Sequence, residues 1–494
     1  MFADHSLEAI KIVAQQSFEA FKIYRNTSLK QRADLMRSIA VELEACGDEL
    51  IQTAMQETNL PEVRLRGERA RTIFQLTSYA AACEKGEAIE ARIDTADPNK
   101  NPPKPDIRKM MIGLGPVVVF GSSNFPFAYS TAGGDTASAL AAGCSVIVKA
   151  HPAHAKTSTI VAKAIDKAVV NNNLPANIFQ HVYGASFEVG KALVTNEYIK
   201  AVGFTGSFIG GKQLFDWANQ RKEPIPVFAE MGSINPVFLL NEKLSSSAKE
   251  IAQQYAASIT LGVGQFCTNP GLIIGLKSDV LNLFIDELGK AIHSTQSAKM
   301  LHEGIARAYQ EKKTKALQQN DVVLVNESEL INDGISGNPT IATVSAKTFL
   351  KNTVLHQEVF GPYSLVVQCD DMSEMNLIAE HLEGQLTSTI IGTIDEIQQN
   401  DSLIQSIKNI CGRIILNGVP TGVEVCYSMQ HGGPFPATTD SRFSAVGPDA
   451  IKRFVRPISF QNWPDELLPD ELKNANPLNI WRIVNNEFTK NAIP

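Results

Sequence analysis

The sequence predicts an α/β protein with two parallel-sheet domains and a small appended β arm. Two observations carry this prediction. From Pro116 onward, short apolar runs alternate with helical segments, a pattern typical of parallel strands that helices cover on both faces. The chain also has 494 residues, which is longer than one hydrophobic core normally organises. We therefore expect two or three domains.

The residues before about Gly86 are predicted to be helical. In SLEAIKIVAQQSFEAFKIY and LKQRADLMRSIAVELEACGDEL, apolar residues recur at three- and four-residue intervals, which is typical of helices with one buried face. The segment IDTADPNKNPPKPDIRK is rich in proline, asparagine and lysine. This composition predicts a loop or linker before the first sheet.

The first parallel sheet is predicted to contain the runs PVVVFG, SVIVKA, FQHVYG, AVGFTG and VFAEMG. A second alternation begins at NPVFLL and continues through LIIGL, SLVVQC and STIIGT, which indicates a second α/β domain. The tail after Arg453 is interrupted by prolines and rich in aromatic residues. We expect it to lie as an arm on another domain or subunit.

Composition and charge argue against several classes of function. The formal net charge of −7 offers no general basic surface for nucleic acid or an acidic membrane. No run reaches the roughly 18 apolar residues that span a bilayer, and the amino terminus does not resemble a secretory signal. The seven cysteines are far apart and include no CxxC pair. We therefore expect reduced thiols, no metal site and a cytoplasmic location.

A candidate nucleophile lies in GVGQFCTNPG, residues 262–271. Cys267 stands there among glycines and small polar residues, just before the apolar run LIIGL. Cysteine is the strongest ordinary side-chain nucleophile, and neighbouring backbone N–H groups favour its thiolate. Most single cysteines are buried and inert. The flanking glycines weaken that interpretation because they leave room for another molecule to approach Cys267.

Two further polar residues follow apolar runs. Glu230 in VFAEMGSINPVFLL either caps a helix or loop, or is catalytic, because an unpaired acid is costly to bury there. Desolvation would raise its pKa towards the neutral range that suits a general base. Asn124 in GPVVVFGSSNFPF either forms a turn before Phe125 and Pro126 or donates its amide N–H to a developing oxyanion.

A glycine-rich turn opens the helix that follows AVGFTG. Gly206 and the pair Gly211-Lys212 match a P-loop as far as Gln213, where serine or threonine should bind magnesium. An NTPase is therefore not favoured. The turn can still bind a dinucleotide pyrophosphate through backbone N–H groups, although no GxGxxG follows any predicted strand.

With these motifs in this order, the sequence resembles the aldehyde dehydrogenase superfamily over nearly its whole length. The resemblance is carried by SSNFPF, VIVKA, GFTGS, AEMGS, GQFCTNPG and QEVFGP. Within the superfamily, AEMGSINPVFLL, GVGQFCTNPG and MQHGGPFPATTDSRFSAVG resemble the branch of 2,5-dioxovalerate (α-ketoglutaric semialdehyde) dehydrogenases. The fatty aldehyde dehydrogenase of luminous bacteria is similar to that branch.

The resemblance implies a division of the chain into three units. A dinucleotide-binding domain would comprise residues 1–104 and 119–236, and a catalytic domain residues 237–425. Residues 105–118 and 453–494 would form an oligomerisation arm. We expect FVRPISFQNWP to pair with IRKMMIGLG in that arm, and the arm to cross between subunits of a homodimer or homotetramer.

The resemblance also implies roles for single residues. Cys267 would carry the acyl group as a thioester, Glu230 would activate the hydrolytic water, and Asn124 with the Cys267 N–H would bind the oxyanion. Five residues would bind the cofactor: Lys149 at the adenosine ribose, Gly206 and Ser207 at the pyrophosphate, Glu358 at the nicotinamide ribose, and Phe360 beside the nicotinamide.

Two positions depart from the superfamily pattern. Members that prefer NAD commonly carry a glutamate three residues after the VIVK lysine, where this chain has Pro152. A carboxylate there would repel a 2′-phosphate, so its absence, with His151, His154 and Lys156 nearby, favours NADP over NAD. His431 in MQHGG belongs to the branch and lies either beside the nucleophile or cofactor, or in a loop with a structural role only.

The sequence offers two kinds of partner for the far end of the aldehyde. The semialdehyde of a dicarboxylic acid needs a cation, for which three arginines are candidates: Arg442, Arg66 and Arg69. A fatty aldehyde needs an apolar channel, which three phenylalanines could line: Phe125, Phe127 and Phe266.

Three other classes of protein stay open. A CoA-acylating dehydrogenase would keep the thioester but usually lacks the base that Glu230 would supply. A non-catalytic dinucleotide-binding protein would tolerate the loss of Cys267, which is present. A P-loop phosphotransferase would need a hydroxyl where Gln213 stands. The sequence therefore favours an NAD(P)-dependent aldehyde dehydrogenase acting on a small-molecule aldehyde.

Overall fold

The computed structural model describes residues 2–494. Its strands form four sheets, which helices flank. The α-helices are α1 (Leu7–Tyr24), α2 (Leu29–Ala45), α3 (Gly47–Thr58), α4 (Glu62–Lys85), α5 (Gly134–Ala141), α6 (Ala155–Asn171), α7 (Phe187–Thr195), α8 (Phe208–Asn219), α9 (Asn241–Thr260), α10 (Asp279–Ser294), α11 (Glu303–Leu317), α12 (Ala346–Lys351), α13 (Met372–His381), α14 (Ile394–Gln399) and α15 (Asp401–Ile410). Short 3-10 helices lie at Glu87–Ile89, Pro152–His154, Ala176–Ile178, Leu261–Gly264, Thr353–His356, Pro448–Phe454 and Asp465–Leu467.

The strands connect these helices in the alternating order that the sequence predicts. They are β1 (Arg92–Asp94), β2 (Ile107–Gly113), β3 (Val117–Phe120), β4 (Val146–Lys149), β5 (Phe179–Val182), β6 (Ala201–Thr205), β7 (Val227–Glu230), β8 (Val237–Leu239), β9 (Leu272–Leu276), β10 (Ala298–Lys299), β11 (Val323–Glu327), β12 (Ser336–Gly337), β13 (Thr340–Ser345), β14 (Tyr363–Cys369), β15 (Gln385–Ile391), β16 (Cys411–Leu416), β17 (Val455–Gln461), β18 (Arg482–Val484) and β19 (Glu487–Thr489).

The first parallel sheet has the strand order β5-β4-β3-β6-β7. Its central runs are continuous and apolar because both faces are covered, and all four residues of β3 are buried. Two hydrophobic clusters fill the two faces, one against α2 to α6 and the other against α1, α7 and α8. The carboxyl ends of its parallel strands therefore meet at one edge, where β7 ends in Glu230 and β6 in Thr205.

The second sheet has seven strands in the order β11-β13-β14-β9-β8-β15-β16. All neighbours are parallel except β11, which pairs antiparallel with β13 at one edge. The nine apolar runs named from the sequence all form strands of these two sheets. The predicted α/β class with two parallel sheets is confirmed.

The arm is a five-stranded mixed sheet in the order β17-β2-β1-β18-β19. β17 and β2 pair antiparallel, from Val455 opposite Gly113 to Gln461 opposite Ile107. The expected pairing of the tail with IRKMMIGLG is therefore confirmed. β17 is the outermost strand of this sheet, so one row of its backbone groups has no partner strand within the described chain.

The structure differs from the sequence prediction at two places. The segment predicted as one long helical stretch breaks between α2 and α3, where Gly47 has φ +58°, a conformation that glycine adopts without steric cost. The residues of β1 belong to the arm sheet, outside the range expected for the arm, because the proline-rich loop reverses the chain and lets β1 pair with β2. Conversely, β3 begins at Val117, inside the range expected for the arm.

No helix within residues 2–494 combines the length and apolar character needed to cross a bilayer.

Candidate active site

Two hollows meet at Cys267, between the two parallel sheets. The first, here called the cleft, has a volume of about 420 Å³. It is lined by most of the expected site residues: Asn124, Phe125, Gly206, Ser207, Glu230, Cys267, Glu358 and Phe360. The second, here called the funnel, has a volume of about 510 Å³. It is lined by Arg71, Phe125, Tyr129, Phe266, Cys267, Thr268, Arg413, Gly422, Val423, Glu424 and Met429.

The loop that carries Cys267 has a constrained backbone. Val263 adopts φ +58°, which is sterically unfavourable for a β-branched residue and is typical of functional sites. Gly264 must be glycine, because a Cβ there would lie 2.3 Å from the carbonyl oxygen of Gly361. The side-chain amide of Asn235 donates to the carbonyl oxygen of Cys267 over 2.9 Å. The surrounding structure therefore fixes where the thiol lies.

Glu230 and His431 complete a buried group around this thiol. The His431 Nε2 lies 3.0 Å from Glu230 Oε1 and 3.7 Å from Cys267 Sγ. The side chains of His431 and Glu230 are 1% and 3% exposed. Glu230 is the last residue of β7, and the segment after β16 returns to it, since Met231 N donates to Ala437 O over 2.8 Å. The three residues therefore come from three distant parts of the chain.

The pKa of Glu230 is shifted in the direction opposite to the expected one. Burial raises its pKa, but the charge and hydrogen bond of His431, together with the neighbouring Cys267 thiol, outweigh burial, so the net pKa is lowered. The expectation of a raised pKa for Glu230 was wrong, because the partner histidine is 201 residues away in the sequence. Burial and the neighbouring Glu230 raise the pKa of Cys267 well above its usual value. The resting site therefore pairs a neutral thiol with a carboxylate.

Asn124 also lines the cleft, in a loop fixed by α4. Its side-chain amide donates to the carbonyl oxygen of Gln265 over 3.0 Å, which joins it to the Cys267 loop. Arg64 donates to the carbonyl oxygen of Asn124 over 2.6 Å, and Glu68 accepts the N–H of Phe127 over 2.8 Å. Neither Arg64 nor Glu68 was named from the sequence, although both help to position the loop.

The expected phenylalanines divide into two groups. Phe125 and Phe266 line the funnel and stack edge to face with ring centroids 5.6 Å apart. The guanidinium of Arg64 lies over both rings, at 4.8 and 4.9 Å from their centroids. Phe127 is fully buried in the hydrophobic core and lines neither hollow. The expectation that it lines an aldehyde channel was wrong, because its side chain packs into the first domain.

The far end of the cleft lies at the carboxyl ends of β4 and β6. Ser207 caps α8, its hydroxyl accepting the N–H of Gly210, so the N-terminus of this helix opens at the cleft. His151 also lines the cleft. Lys149 ends β4 two residues earlier and is not among the lining residues. Burial lowers the pKa of Lys149 to about 8.

Pro152 and His154, which were expected near the adenosine ribose, flank this end of the cleft. Pro152 begins a 3-10 helix and is exposed. His154 is fully buried, with Nε2 2.9 Å from the carbonyl oxygen of Ser122. At the other end, burial raises the pKa of Glu358 to about 7, and this carboxylate accepts the N–H of Ser233 over 3.4 Å. The residues expected at the two ends of a dinucleotide thus lie at the two ends of one cleft or beside it.

The arginines named from the sequence lie away from both hollows. Arg442 is 79% exposed and pairs with Asp440 over 2.6 Å. Arg66 is paired with Asp48 and Glu62, and Arg69 donates to the Gly47 carbonyl and to Glu44. The expectation that one of these arginines contacts the substrate was wrong, because each has surface partners elsewhere.

Arg71 and Arg413 line the funnel instead. Arg71 donates to the carbonyl oxygen of Val423 over 3.1 Å and lies over the Tyr129 ring. Arg413, on β16, donates to the carbonyl oxygen of Pro420 over 2.8 Å, and its buried Nε has no partner within residues 2–494. The sequence contained one signal for Arg71, since Arg64, Glu68 and Arg71 recur at helical spacing.

Comparison with known proteins agrees with this geometry. The profile of the aldehyde dehydrogenase family matches residues 2–444. The chain is 43% identical over 493 residues to alpha-ketoglutaric semialdehyde dehydrogenase of Acinetobacter baylyi, covering 99% of this chain and 93% of the relative. It is 46% identical over 466 residues to alpha-ketoglutaric semialdehyde dehydrogenase 2 of Azospirillum brasilense, covering 94% and 89%.

Among solved structures, the chain is similar to proline utilization A from Bdellovibrio bacteriovorus. The TM-score is 0.77 at 21% identity, over 93% of this chain. The chain spans 46% of the length of that longer protein, so this likeness concerns the fold. Fold, site and sequence relatives lead to one conclusion: the chain belongs to the aldehyde dehydrogenase family and is an NAD(P)-dependent oxidoreductase of aldehydes.

Proposed function

We propose that this enzyme oxidises α-ketoglutaric semialdehyde (2,5-dioxovalerate) with NADP⁺ and water to 2-oxoglutarate, through a thioester on Cys267. One observation carries the proposal. Cys267 lies where a long cleft and a funnel meet, and two arginines line the funnel. A dinucleotide and an anionic aldehyde can therefore approach the thiol from opposite sides. Two relatives at 43% and 46% identity are named for this substrate.

The residues of the cleft fit a dinucleotide. The start of α8 at Ser207 offers backbone N–H groups to a pyrophosphate. Burial desolvates the ammonium group of Lys149 at the end of β4, which suits it to bind a ribose hydroxyl or a 2′-phosphate. At the opposite end, Glu358 and Phe360 line the cleft. We propose that Glu358 accepts hydroxyls of the second ribose and that Phe360 packs beside the nicotinamide.

The chemistry follows from the group around Cys267. Its sulfur attacks the aldehyde carbon while the thiol proton passes to the adjacent Glu230 carboxylate. Asn124 has two amide hydrogens and uses one on Gln265, so the other can stabilise the oxyanion together with the Cys267 N–H. A bound NAD(P)⁺ supplies the hydride acceptor. Glu230 next releases the thiol proton to solvent, and its carboxylate, aligned by His431, then deprotonates the water that hydrolyses the thioester.

Two arginines of the funnel are proposed to bind the far carboxylate of the semialdehyde. We expect Arg413→Met and Arg71→Met each to lower kcat/KM for α-ketoglutaric semialdehyde roughly tenfold to hundredfold, mainly through KM. A charge-assisted hydrogen bond contributes about 1.5–3 kcal/mol, and about 1.4 kcal/mol corresponds to a factor of ten. Initial rates should be measured with the semialdehyde and with a straight-chain aldehyde of the same length.

The matched control is Arg442→Met, which removes an exposed arginine outside the funnel. This variant should leave kcat/KM for both aldehydes unchanged. Arg413→Lys keeps the charge and should recover part of the loss. Equal losses with the uncharged aldehyde would show that the arginines only hold the funnel wall. A wild-type preference for long-chain aldehydes would instead favour the alternative of a fatty aldehyde dehydrogenase, for which Phe125 and Phe266 offer an apolar wall.

The preference for NADP rests on Pro152. We expect the wild type to have a higher kcat/KM with NADP⁺ than with NAD⁺, and Pro152→Glu to shift the ratio towards NAD⁺. The introduced carboxylate would repel the 2′-phosphate and accept both ribose hydroxyls. Pro152→Gln has the same shape without the charge, so it separates electrostatics from the loss of proline. A wild type that already prefers NAD⁺ would contradict this interpretation.

The arm is proposed to join subunits. The open edge of β17 presents unpaired backbone N–H and C=O groups, which soluble proteins normally cover. We expect light scattering at about micromolar concentration to show a homodimer or homotetramer. A monomer under those conditions would contradict the proposal.

A further inference from the structure

We propose that Cys267, His431 and Glu230 also form a binding site for one zinc ion, which blocks the catalytic centre reversibly. The three side chains supply the ligand types that zinc takes in proteins, namely thiolate sulfur, imidazole nitrogen and carboxylate oxygen. One donor atom from each lies within 4.8 Å of the other two. Zinc binding at these three residues requires neither the semialdehyde nor NADP.

The distances between the donor atoms fit a tetrahedral ion. Zinc binds sulfur at about 2.3 Å and nitrogen or oxygen at about 2.0–2.2 Å, which places tetrahedral ligands about 3.3–3.7 Å apart. The structure has 3.7 Å between Cys267 Sγ and His431 Nε2, and 3.0 Å between His431 Nε2 and Glu230 Oε1. The third pair, Cys267 Sγ and a Glu230 carboxylate oxygen, lies within 4.8 Å, so side-chain movements of roughly an ångström are enough to bring all three donors onto one ion.

A second observation also points to a ligand at this position. Glu230 Oε2 is buried and has no hydrogen-bond partner within residues 2–494. A buried carboxylate oxygen without a partner is costly, and a cation beside it would remove that cost. The segment around Ala437 holds the backbone next to Glu230 at the end of β7, and His431 holds the other carboxylate oxygen, Oε1. The site is therefore already organised before an ion arrives.

The ion can reach this site and would stop the reaction once bound. Cys267 lines both the cleft and the funnel, so hydrated zinc has a route from either side. Binding replaces the thiol proton by zinc and releases that proton to solvent, and no electrons are transferred. The sulfur can then no longer attack an aldehyde. The fourth position of the tetrahedron is left for a water molecule at the place where the aldehyde would react.

The test uses the full-length enzyme with zinc and cadmium ions as probes. We expect one equivalent of Zn²⁺ to bind by calorimetry, to inhibit in competition with the aldehyde, and to be removed by a chelator with recovery of activity. Cd²⁺ should produce a cadmium–thiolate charge-transfer band whose intensity saturates at one equivalent of Cd²⁺. Cys267→Ser should lose the band, and His431→Gln should weaken Cd²⁺ binding at least about tenfold, the scale on which metal sites respond to changes in ligation.

The matched control is Cys426→Ser, which removes an exposed thiol outside the site and should leave the band intact. X-ray absorption on wild-type enzyme with one zinc equivalent needs no variant, and should show one sulfur with nitrogen or oxygen ligands. The proposal is overturned if the band survives in Cys267→Ser, if His431→Gln binds Cd²⁺ as tightly as wild type, or if zinc has no sulfur ligand. Metal binding is read independently of turnover, so a wrong substrate assignment would not affect this result.

Discussion

Cys267→Ala is expected to abolish aldehyde-dependent formation of NADPH while leaving cofactor binding intact. Three residues line both the cleft and the funnel, namely Phe125, Tyr129 and Cys267, and the thiol is the strongest nucleophile among them. The alanine side chain cannot form a thioester. Turnover should be followed by NADPH absorbance, and cofactor binding by quenching of protein fluorescence. The expected result is no activity above background with unchanged cofactor affinity.

Other cysteines provide the controls for this experiment. Cys144 and Cys369 are buried in the cores of the two domains, so their replacement by alanine should lower stability without changing the reaction. Cys426 is exposed, and Cys426→Ala should change neither. Activity of Cys267→Ala comparable to wild type would disprove the thioester mechanism.

Glu230→Gln should lower steady-state turnover by about 10²–10⁴-fold, the usual contribution of general-base catalysis. Glutamine keeps the shape and a hydrogen-bond acceptor for His431, but it cannot take a proton from water. Stopped-flow measurement of the first turnover separates two roles. If Glu230 acts mainly in hydrolysis, a burst of NADPH should survive and an acyl-enzyme should accumulate on Cys267, where mass spectrometry would detect it.

The structure provides a reason for the burst to slow as well. Cys267 is a neutral thiol beside the Glu230 carboxylate, so the same variant also removes the group that accepts the thiol proton. A burst that disappears would show that Glu230 helps to form the thiolate. Undiminished turnover in Glu230→Gln, or a wild type that turns over only with added coenzyme A, would contradict the assignment of hydrolysis to Glu230.

Local sequence was sufficient to predict the strands of both parallel sheets. Each is a short continuous apolar run, and burial on both faces leaves few alternatives for such a run. The short strand β1 was not predicted, because its three residues lie in a proline-rich segment and pair only once the chain has reversed. Its assignment depends on a partner strand rather than on its own composition.

The arginines that line the funnel could not be identified from the sequence, for a different reason. Arg64, Arg66, Arg69 and Arg71 lie within eight residues of one helix, and only its rotation decides which of them face the site. Arg66 and Arg69 were expected to bind the substrate, but they lie on the side of the helix with surface partners. Arg413 comes from an edge strand of the second sheet, and nothing in its neighbourhood in the sequence distinguishes it from other surface arginines.

The assembly of the catalytic group from distant parts of the chain has a consequence for biosynthesis. Glu230 and His431 are 201 residues apart, and the thiol and the imidazole 164. Contacts between such distant residues form late, after the loops between them have closed. A nascent chain on the ribosome therefore exposes Cys267 long before His431 has been synthesised. We expect catalytic competence to appear only after His431 has left the ribosome, so fragments that end before this residue would be inactive.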